Sequence, residues 1–285
     1  MSDPVGCASD YGRLREVLIC PPDHFQWFPA NAVAVETMRK GLKLDLQAVR
    51  RQYREMHDAL TGAGVVVREV GTDPHLCYQS YTRDPGVVFP WGVFLTQMYR
   101  AQRRGETAPL SAFCHGRGLP VWRWATAGSI EGGDIHLLRP GQALIGWSGG
   151  RTEESSARQL ADWLAAEGWQ AKLYAFPEHF LHLDLLFAVA GEGIALACTE
   201  VLEEELLSWL KGIGYELIPV SYKEAMQLQN NVLALGDGKV LSSAGSAAVN
   251  ARLRAAGLTV LDPDLTLYTA GGGGPRCLTM PVWRE

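Results

Sequence analysis

Five glycines recur along this chain of 285 residues, each following a segment with the apolar spacing of a helix and preceding a run rich in β-branched residues. They lie roughly fifty residues apart, a period typical of internally repeated folds. Glycine just past a helix end adopts the left-handed conformation that stops the helix. The pattern therefore predicts five helix–glycine–strand units; an unrepeated α/β protein with the same alternation is the alternative. The glycines are Gly64, Gly118, Gly168, Gly214 and Gly257.

Polar residues follow each unit, beside an apolar strand-like run. In the clearest unit, LQAVRRQYREMHDALTGAGVVVREV, Gly62 and Gly64 are both expected stop signals. If the five units form a ring, their polar residues would meet in a central pocket. These residues are Asp84, Glu131, Asp134, His182, Asp184, Asn231 and Cys277.

Composition narrows the class of protein. A hydrophobic content of 47% supports a substantial core, in one large domain or two small ones. With 26 basic and 31 acidic residues, the chain lacks the basic footprint of a nucleic-acid-binding protein. No apolar run approaches the ~20 residues that cross a bilayer. The N-terminal stretch lacks a secretion signal, so we expect a cytoplasmic protein with no membrane partner.

Six cysteines are scattered singly, and none belongs to a CxxC pair. This spacing indicates neither a zinc cluster nor a disulfide framework. Cys277 is distinctive because four glycines, Gly271 to Gly274, precede it and allow backbone amides to approach a ligand closely. A cysteine with a histidine elsewhere in the chain provides the ingredients of nucleophilic catalysis.

The carboxylates narrow the chemistry further. Four acids around a thiolate would raise the thiol pKa, which disfavours ordinary acyl transfer. A planar, permanently charged guanidinium reverses this argument, because paired carboxylates match its geometry and the bound cation helps to ionise the thiol. A metal site is the alternative, since HLD would place His182 and Asp184 on one face of a strand. We expect neither a metal nor a cofactor. The alternative from a different functional class is a binding protein that holds a cationic amino acid without catalysing a reaction.

Four motifs in order, YTRDP, IEGGD, LHLD and GGGGPRC, resemble those of the guanidine-modifying enzymes. This superfamily has the pentein fold and includes arginine deiminases, amidinotransferases and dimethylarginine dimethylaminohydrolases. The resemblance runs from about Cys20 to Trp283 and implies an α/β propeller of five ββαβ-type repeats around a pseudo-fivefold axis. It also implies one domain over residues 1–285, an arginine-like small-molecule substrate and, as in many family members, a homodimer.

The resemblance implies a role for each motif residue. Cys277 resembles the nucleophile and His182 the general acid/base, with Glu131 as its orienting partner. Asp84 and Asp184 resemble the clamp on the guanidinium. The resemblance implies four further substrate-binding residues. Arg151 and Arg83 would bind a substrate carboxylate, and Asn31 lies on an early loop where related enzymes hold substrate. Asp134 would either contact the substrate amine or support the site from behind.

Some features depart from the family's pattern. Arg276 stands where several members have histidine, and it is a candidate to stabilise the thiolate or to reach a substrate carboxylate. Asp84 stands where the arginine dihydrolases have asparagine, which argues against double hydrolysis. The predicted reaction is hydrolysis of the guanidino group of arginine or a methylated derivative through a covalent adduct on Cys277. Transfer of the amidino group to an amine remains the main alternative, and hydrolysis of a citrulline-like substrate is a third.

Overall fold

Residues 5–285 are described by a computed structural model, and within them the chain forms five three-stranded sheets. Each sheet has the same topology: a first strand antiparallel to the middle strand, and a third strand parallel to the middle one. A helix connects the middle and third strands, as a parallel pairing requires. The five predicted repeats are therefore confirmed.

The first repeat joins the two ends of the chain. Its sheet pairs β1 (Leu14–Ile19) with the C-terminal strand β15 (Met280–Arg284), and β1 then pairs with β2 (Val66–Glu69). Two helices lie between β1 and β2, α1 (Ala32–Arg39) and α2 (Leu46–Gly62).

The other four repeats follow one another along the chain. Repeat two comprises β3 (Gly86–Phe89), β4 (Gly92–Leu95), α3 (Thr107–Arg117) and β5 (Val121–Trp124). Repeat three comprises β6 (Ile135–Arg139), β7 (Gln142–Trp147), α4 (Glu154–Ala166) and β8 (Gln170–Ala175). Repeat four comprises β9 (Phe187–Gly191), β10 (Ile194–Ala197), α5 (Glu204–Gly212) and β11 (Glu216–Pro219), and the short helix α6 (Tyr222–Met226) follows it. Repeat five comprises β12 (Leu233–Gly236), β13 (Lys239–Leu241), α7 (Ala247–Ala255) and β14 (Thr259–Leu261), and the short helix α8 (Thr266–Thr269) follows it.

Helix α2 shows how the sequence specifies these elements. The side chain of Asp45 caps its N-terminus by accepting hydrogen bonds from the first-turn amides of Gln47 and Ala48. A stripe that includes Val49 and Leu60 is buried, at helical spacing, against the first sheet. Burial of each such side chain contributes about 1.5–3 kcal/mol.

All five glycines predicted to end helices have positive φ, from +64° to +96°. In the first unit Gly62 is the last residue of α2, and the left-handed turn falls at Gly64. Among residues 5–285, no helix combines the length and apolarity that a membrane crossing requires.

Candidate active site

The candidate site residues lie in the turns that immediately precede the first strands of the repeats. First strands of neighbouring repeats contact one another, for example β6 with β9 and β9 with β12, so these turns converge. The residues so placed are Asp84 before β3, Glu131 and Asp134 before β6, His182 and Asp184 before β9, Asn231 before β12 and Cys277 before β15. The ring therefore brings together residues up to 193 positions apart.

One local prediction is wrong. His182 and Asp184 do not share the face of a strand, because a 3₁₀ turn over Leu183–Leu185 follows His182 and the strand begins only at Phe187. The turn lets the two side chains approach different partners.

His182 and Glu131 form a buried pair. The Nε2 of His182 lies 2.8 Å from Oε2 of Glu131, and both side chains are at most 1% exposed. Gly133 packs on the imidazole, since a Cβ there would lie 2.5 Å from Nδ1. Burial alone would lower the pKa of His182, but Asp84, Asp134 and Glu131 together raise it to about 9. The imidazole is therefore held protonated at neutral pH, with Nδ1 left without a hydrogen-bond partner.

Glu131 has two further contacts that stabilise it as a carboxylate. It accepts a hydrogen bond from the backbone N–H of Tyr99 at 3.1 Å and one from Nη1 of Arg151 at 3.2 Å. Burial opposes ionisation of Glu131, but Arg151 and His182 outweigh it and hold its pKa well below the usual range. Arg151 is itself tied to the carbonyl oxygen of Ala30 at 2.8 Å.

Cys277 is buried between an amide and a carboxylate. Its Sγ accepts a hydrogen bond from Nδ2 of Asn231 at 3.2 Å, and its backbone N–H donates to Oδ1 of the same residue at 3.2 Å. The thiol points toward Oδ2 of Asp184, 3.6 Å away. Burial raises the pKa of Cys277 well above its ordinary value, and Asp184 and Asp84 raise it further. These effects favour the neutral thiol.

Asp84 is held by an arginine that the sequence analysis missed. Its Oδ2 accepts a hydrogen bond from Nη1 of Arg103 at 2.7 Å, while Arg103 also binds Glu106 through two nitrogens, at 2.8 and 2.6 Å. The other oxygen, Oδ1, has no hydrogen-bond partner and lies 3.8 Å from Nδ1 of His182. Nothing in the stretch RAQRRGE distinguishes Arg103 from its exposed neighbour Arg104.

Asp184 is arranged in the same way. Its Oδ2 lies 3.6 Å from both the thiol of Cys277 and Nε of Arg276, and its Oδ1 has no hydrogen-bond partner. Burial raises the pKa of Asp184. Two buried carboxylate oxygens, one from Asp84 and one from Asp184, therefore have no hydrogen-bond donor in the part of the chain that the structure describes.

Asp134 differs because both its oxygens are already occupied. Oδ1 accepts from the backbone N–H of Leu183 at 2.7 Å, and Oδ2 accepts from the hydroxyl of Thr152 at 2.6 Å. Burial raises the pKa of Asp134 to about 7. Its contacts fix the turn that carries His182.

The glycines before Cys277 bring the backbone close to the site. Gly272 has φ of +105°, and a Cβ there would lie 2.3 Å from the side chain of Asn31. Asn31 donates to the carbonyl oxygen of Gly271 at 3.0 Å and caps α1 by accepting from the amide of Ala34 at 2.8 Å. The early loop is thus tied to the glycine turn at the pocket.

Two arginines predicted near the substrate have their contacts elsewhere. The Nε of Arg83 donates to the carbonyl oxygen of Arg276, and Arg83 lines neither cavity of the site. Arg276 binds Asp10 at 3.2 Å and the carbonyl oxygen of Ile135 at 2.6 Å, and reaches the site only through Asp184.

Two adjoining cavities give access to the thiol. The inner one, of about 10 Å³, contains Cys277, His182 and Asp84 in its wall. The outer one is larger, about 230 Å³, and is lined by charged side chains that include Arg100 and Glu178. Both share Asn31, Arg151 and Leu181, so Arg151 stands where the cavities meet.

Within residues 5–285, one group of three side chains has metal-ligating atoms all within 4.8 Å of one another: Asp84, Glu131 and His182. Within this group, Nε2 of His182 forms the short hydrogen bond to Glu131.

Several known proteins are similar in sequence to this chain. A family model described as N,N dimethylarginine dimethylhydrolase, eukaryotic, matches residues 22–284. Protein YkgA of Bacillus subtilis, described as uncharacterized, is 31% identical over 280 residues, which cover 98% of this chain and 95% of YkgA. An arginine deiminase of Listeria monocytogenes is 29% identical over 72% of this chain, and the match spans 61% of the deiminase.

Solved structures share the fold. The N-terminal domain of ArgZ, covalently bound to a reaction intermediate, superposes with a TM-score of 0.83 at 23% identity, covering 94% of this chain and 98% of that one. The dimethylarginine dimethylaminohydrolase of Pseudomonas aeruginosa, complexed with citrulline, gives 0.79 at 20% identity, covering 95% and 100%. The predicted pentein fold is thereby confirmed. The chain belongs to the dimethylarginine dimethylhydrolase family of the pentein superfamily, and it is a hydrolase that acts on carbon–nitrogen bonds.

Proposed function

We propose that this protein hydrolyses the guanidino group of arginine or a close derivative, with Cys277 as its nucleophile. The observation that carries the proposal is a pair of buried carboxylate oxygens with no hydrogen-bond partner among residues 5–285. They are Oδ1 of Asp84, a residue of the inner cavity wall that also contains Cys277, and Oδ1 of Asp184, whose Oδ2 lies 3.6 Å from the thiol. Buried acceptors are normally hydrogen-bonded, so a ligand with two N–H donors is needed. A guanidinium offers N–H donors on two terminal nitrogens and a positive charge.

The bound cation would also activate the nucleophile. In the empty site, burial and two carboxylates raise the pKa of Cys277. A guanidinium between Asp84 and Asp184 offsets part of their negative charge, so the pKa of the thiol falls and the thiol loses its proton to solvent as substrate binds. The thiolate sulfur then forms a bond to the central carbon, which the clamp holds in reach.

His182 would move the protons. Its Nδ1 is free on the side of Asp84, while Nε2 is fixed by Glu131. The tetrahedral adduct breaks its carbon–nitrogen bond, and the leaving amine takes the electron pair and a proton from the imidazolium. Neutral His182 next accepts a proton from water, and hydroxide adds to the carbon. The carbon–sulfur bond then breaks with its electron pair returning to Cys277, and the added hydroxyl loses its proton to solvent as the ureido carbonyl forms. Arginine would give citrulline and ammonia, and a methylated derivative would give citrulline and a methylamine.

Substrate recognition beyond the guanidinium would use the junction of the cavities. Arg151 stands there, and the outer cavity offers room for an amino-acid portion together with acidic Glu178. We assign the substrate carboxylate to Arg151, and Asn31 holds the loop beside it.

A panel of arginine, monomethylarginine, dimethylarginine, agmatine and citrulline tests the proposal, with product read by mass spectrometry. We expect a ureido product from one of the first three, abolished in Cys277→Ala and retained in Cys114→Ala, which removes a buried thiol in α3. An active Cys277→Ala enzyme would overturn the mechanism. Product that forms only when glycine or lysine is added would instead assign amidino transfer.

A further inference from the structure

A second cluster of buried charge lies behind the turn that carries Cys277, outside both cavities. It contains Arg83, Arg276 and Arg284 with Asp10 and His136, none more than 7% exposed. Oδ2 of Asp10 lies 3.2 Å from Nη1 of Arg276 and 3.7 Å from Nδ1 of His136. Nε of Arg83 donates to the carbonyl oxygen of Arg276 at 3.5 Å, so Arg83 is linked to the same cluster.

The hydrogen bonding of this cluster is incomplete. Among the described residues, Arg83 makes one long hydrogen bond with its five N–H donors, and its buried Nη2 has no partner. Within residues 5–285, neither ring nitrogen of His136 has a hydrogen-bond partner, and the same is true of Nε of Arg284. Buried polar groups in folded proteins are hydrogen-bonded, so these donors require an acceptor.

The charge of the cluster is also unbalanced. The three arginines bring three positive charges, and their acidic neighbours, Asp10 and Asp184, bring two negative charges, which leaves one positive charge in excess. Cys7 adds none, since burial raises the pKa of its thiol to about 12. His136 adds no compensation either, because burial and the nearby Arg276 and Arg83 keep the imidazole neutral by lowering its pKa. Water would satisfy donors but would leave the excess charge buried, which is costly.

We propose that a small monovalent inorganic anion, of the chloride class, binds in this cluster between Arg83 and His136. Nη2 of Arg83 and the N–H of the neutral imidazole are its donors, and it supplies the missing negative charge. Arg276 connects the anion site to the catalytic turn, because its Nε lies 3.6 Å from the carboxylate of Asp184 that faces the thiol.

Crystals of the whole protein soaked in bromide test the site directly. We expect an anomalous peak within hydrogen-bond distance of Arg83 and His136, and a matching peak for iodide. Ordered water alone at that position, with no anomalous signal, would overturn the proposal.

Thermal unfolding gives a second test in solution. At constant ionic strength, replacement of gluconate by chloride should raise the Tm in a saturable way, by about 2–6 °C. Arg83→Met should lose this dependence, whereas Arg158→Met, which alters an exposed arginine paired with Glu154, should keep it. A wild-type Tm that is indifferent to chloride would contradict the proposal even if Arg83→Met fails to fold. Neither test uses a substrate, so the result is independent of the proposed activity.

Discussion

The imidazole of His182 is fixed by a single short contact, the 2.8 Å hydrogen bond between its Nε2 and Oε2 of Glu131. This contact does two things. It directs Nδ1 toward the unpartnered oxygen of Asp84, and it helps to raise the pKa of the imidazole to about 9 against the effect of burial. Position and protonation of the proposed acid thus depend on the same carboxylate.

Glu131→Gln should therefore reduce kcat, because the imidazole loses both its orientation and its charge stabilisation. We expect a loss of about 10²–10⁴-fold, the usual contribution of general acid–base catalysis. Steady-state kinetics on the best guanidino substrate measures it. Glu153→Gln, at the start of α4 and bound to Ser129, is the control and should leave kcat nearly unchanged.

The pH dependence follows from the same pair. The pKa of His182 is about 9 in the folded protein and 6.5 ordinarily, so the protonated acid persists until pH rises through 9. We expect the alkaline limb of kcat/KM near pH 9, and a shift of this limb to lower pH in Glu131→Gln. The stabilising contribution of the charged imidazole has the same sign: it is complete below pH 6.5 and lost as pH rises through 9. If the alkaline limb of kcat/KM stays at the same pH in Glu131→Gln, His182 is not the acid in the reaction.

Asp184→Asn should lower the pKa of Cys277, since Asp184 is the main charge that raises it after burial. Alkylation of Cys277 by iodoacetamide, followed by peptide mass spectrometry, should shift to lower pH in this variant. In the wild type a bound guanidine should produce a similar shift. If neither changes the pH dependence, the carboxylate does not control the thiol.

Arg103→Met should destabilise the protein, because it leaves the buried carboxylates of Asp84 and Glu106 without their shared cation. Breaking a buried ion pair in this way costs about 3–5 kcal/mol. Chemical denaturation gives the free energy of unfolding. Arg39→Met, at an exposed ion pair with Glu36, should have no measurable effect.

Gly272→Ala tests the close approach of the glycine turn. An alanine there combines a positive φ with a clash against Asn31, so both stability and activity should fall. Gly41→Ala is a matched control: its φ of +70° is also positive, but the space around it is open. If both variants lose stability and activity equally, the effect comes from backbone conformation alone and not from a clash with Asn31.

The repeats could be predicted because local chemistry encodes them. Gly64 and its four counterparts have open space where a side chain would lie, so packing does not obscure their function as helix stops. Four of the five helices that they follow end two residues before the glycine. The order of the motifs predicted which side chains converge, and the ring brings Asp84, His182 and Cys277 together as expected.

The direction of individual side chains could not be predicted in the same way. Adjacent residues on a turn point apart, so Asp84 faces the pocket while Arg83 faces the cluster behind it. Arg103 acquires its role only through folding, which places it 2.7 Å from Asp84, 19 positions earlier in the chain. Asn231, grouped with the polar residues from sequence alone, proves to contact Cys277 twice, the thiol through Nδ2 and the backbone N–H through Oδ1.

The most direct test of the account is a single-turnover reaction of the wild-type protein with arginine and its methylated derivatives, quenched in acid and analysed by intact-protein and peptide mass spectrometry. The account predicts an amidino adduct on Cys277 that appears before the ureido product and decays as the product accumulates. Product formation with Cys277 unmodified at every quench time, or an adduct on another cysteine, would contradict it.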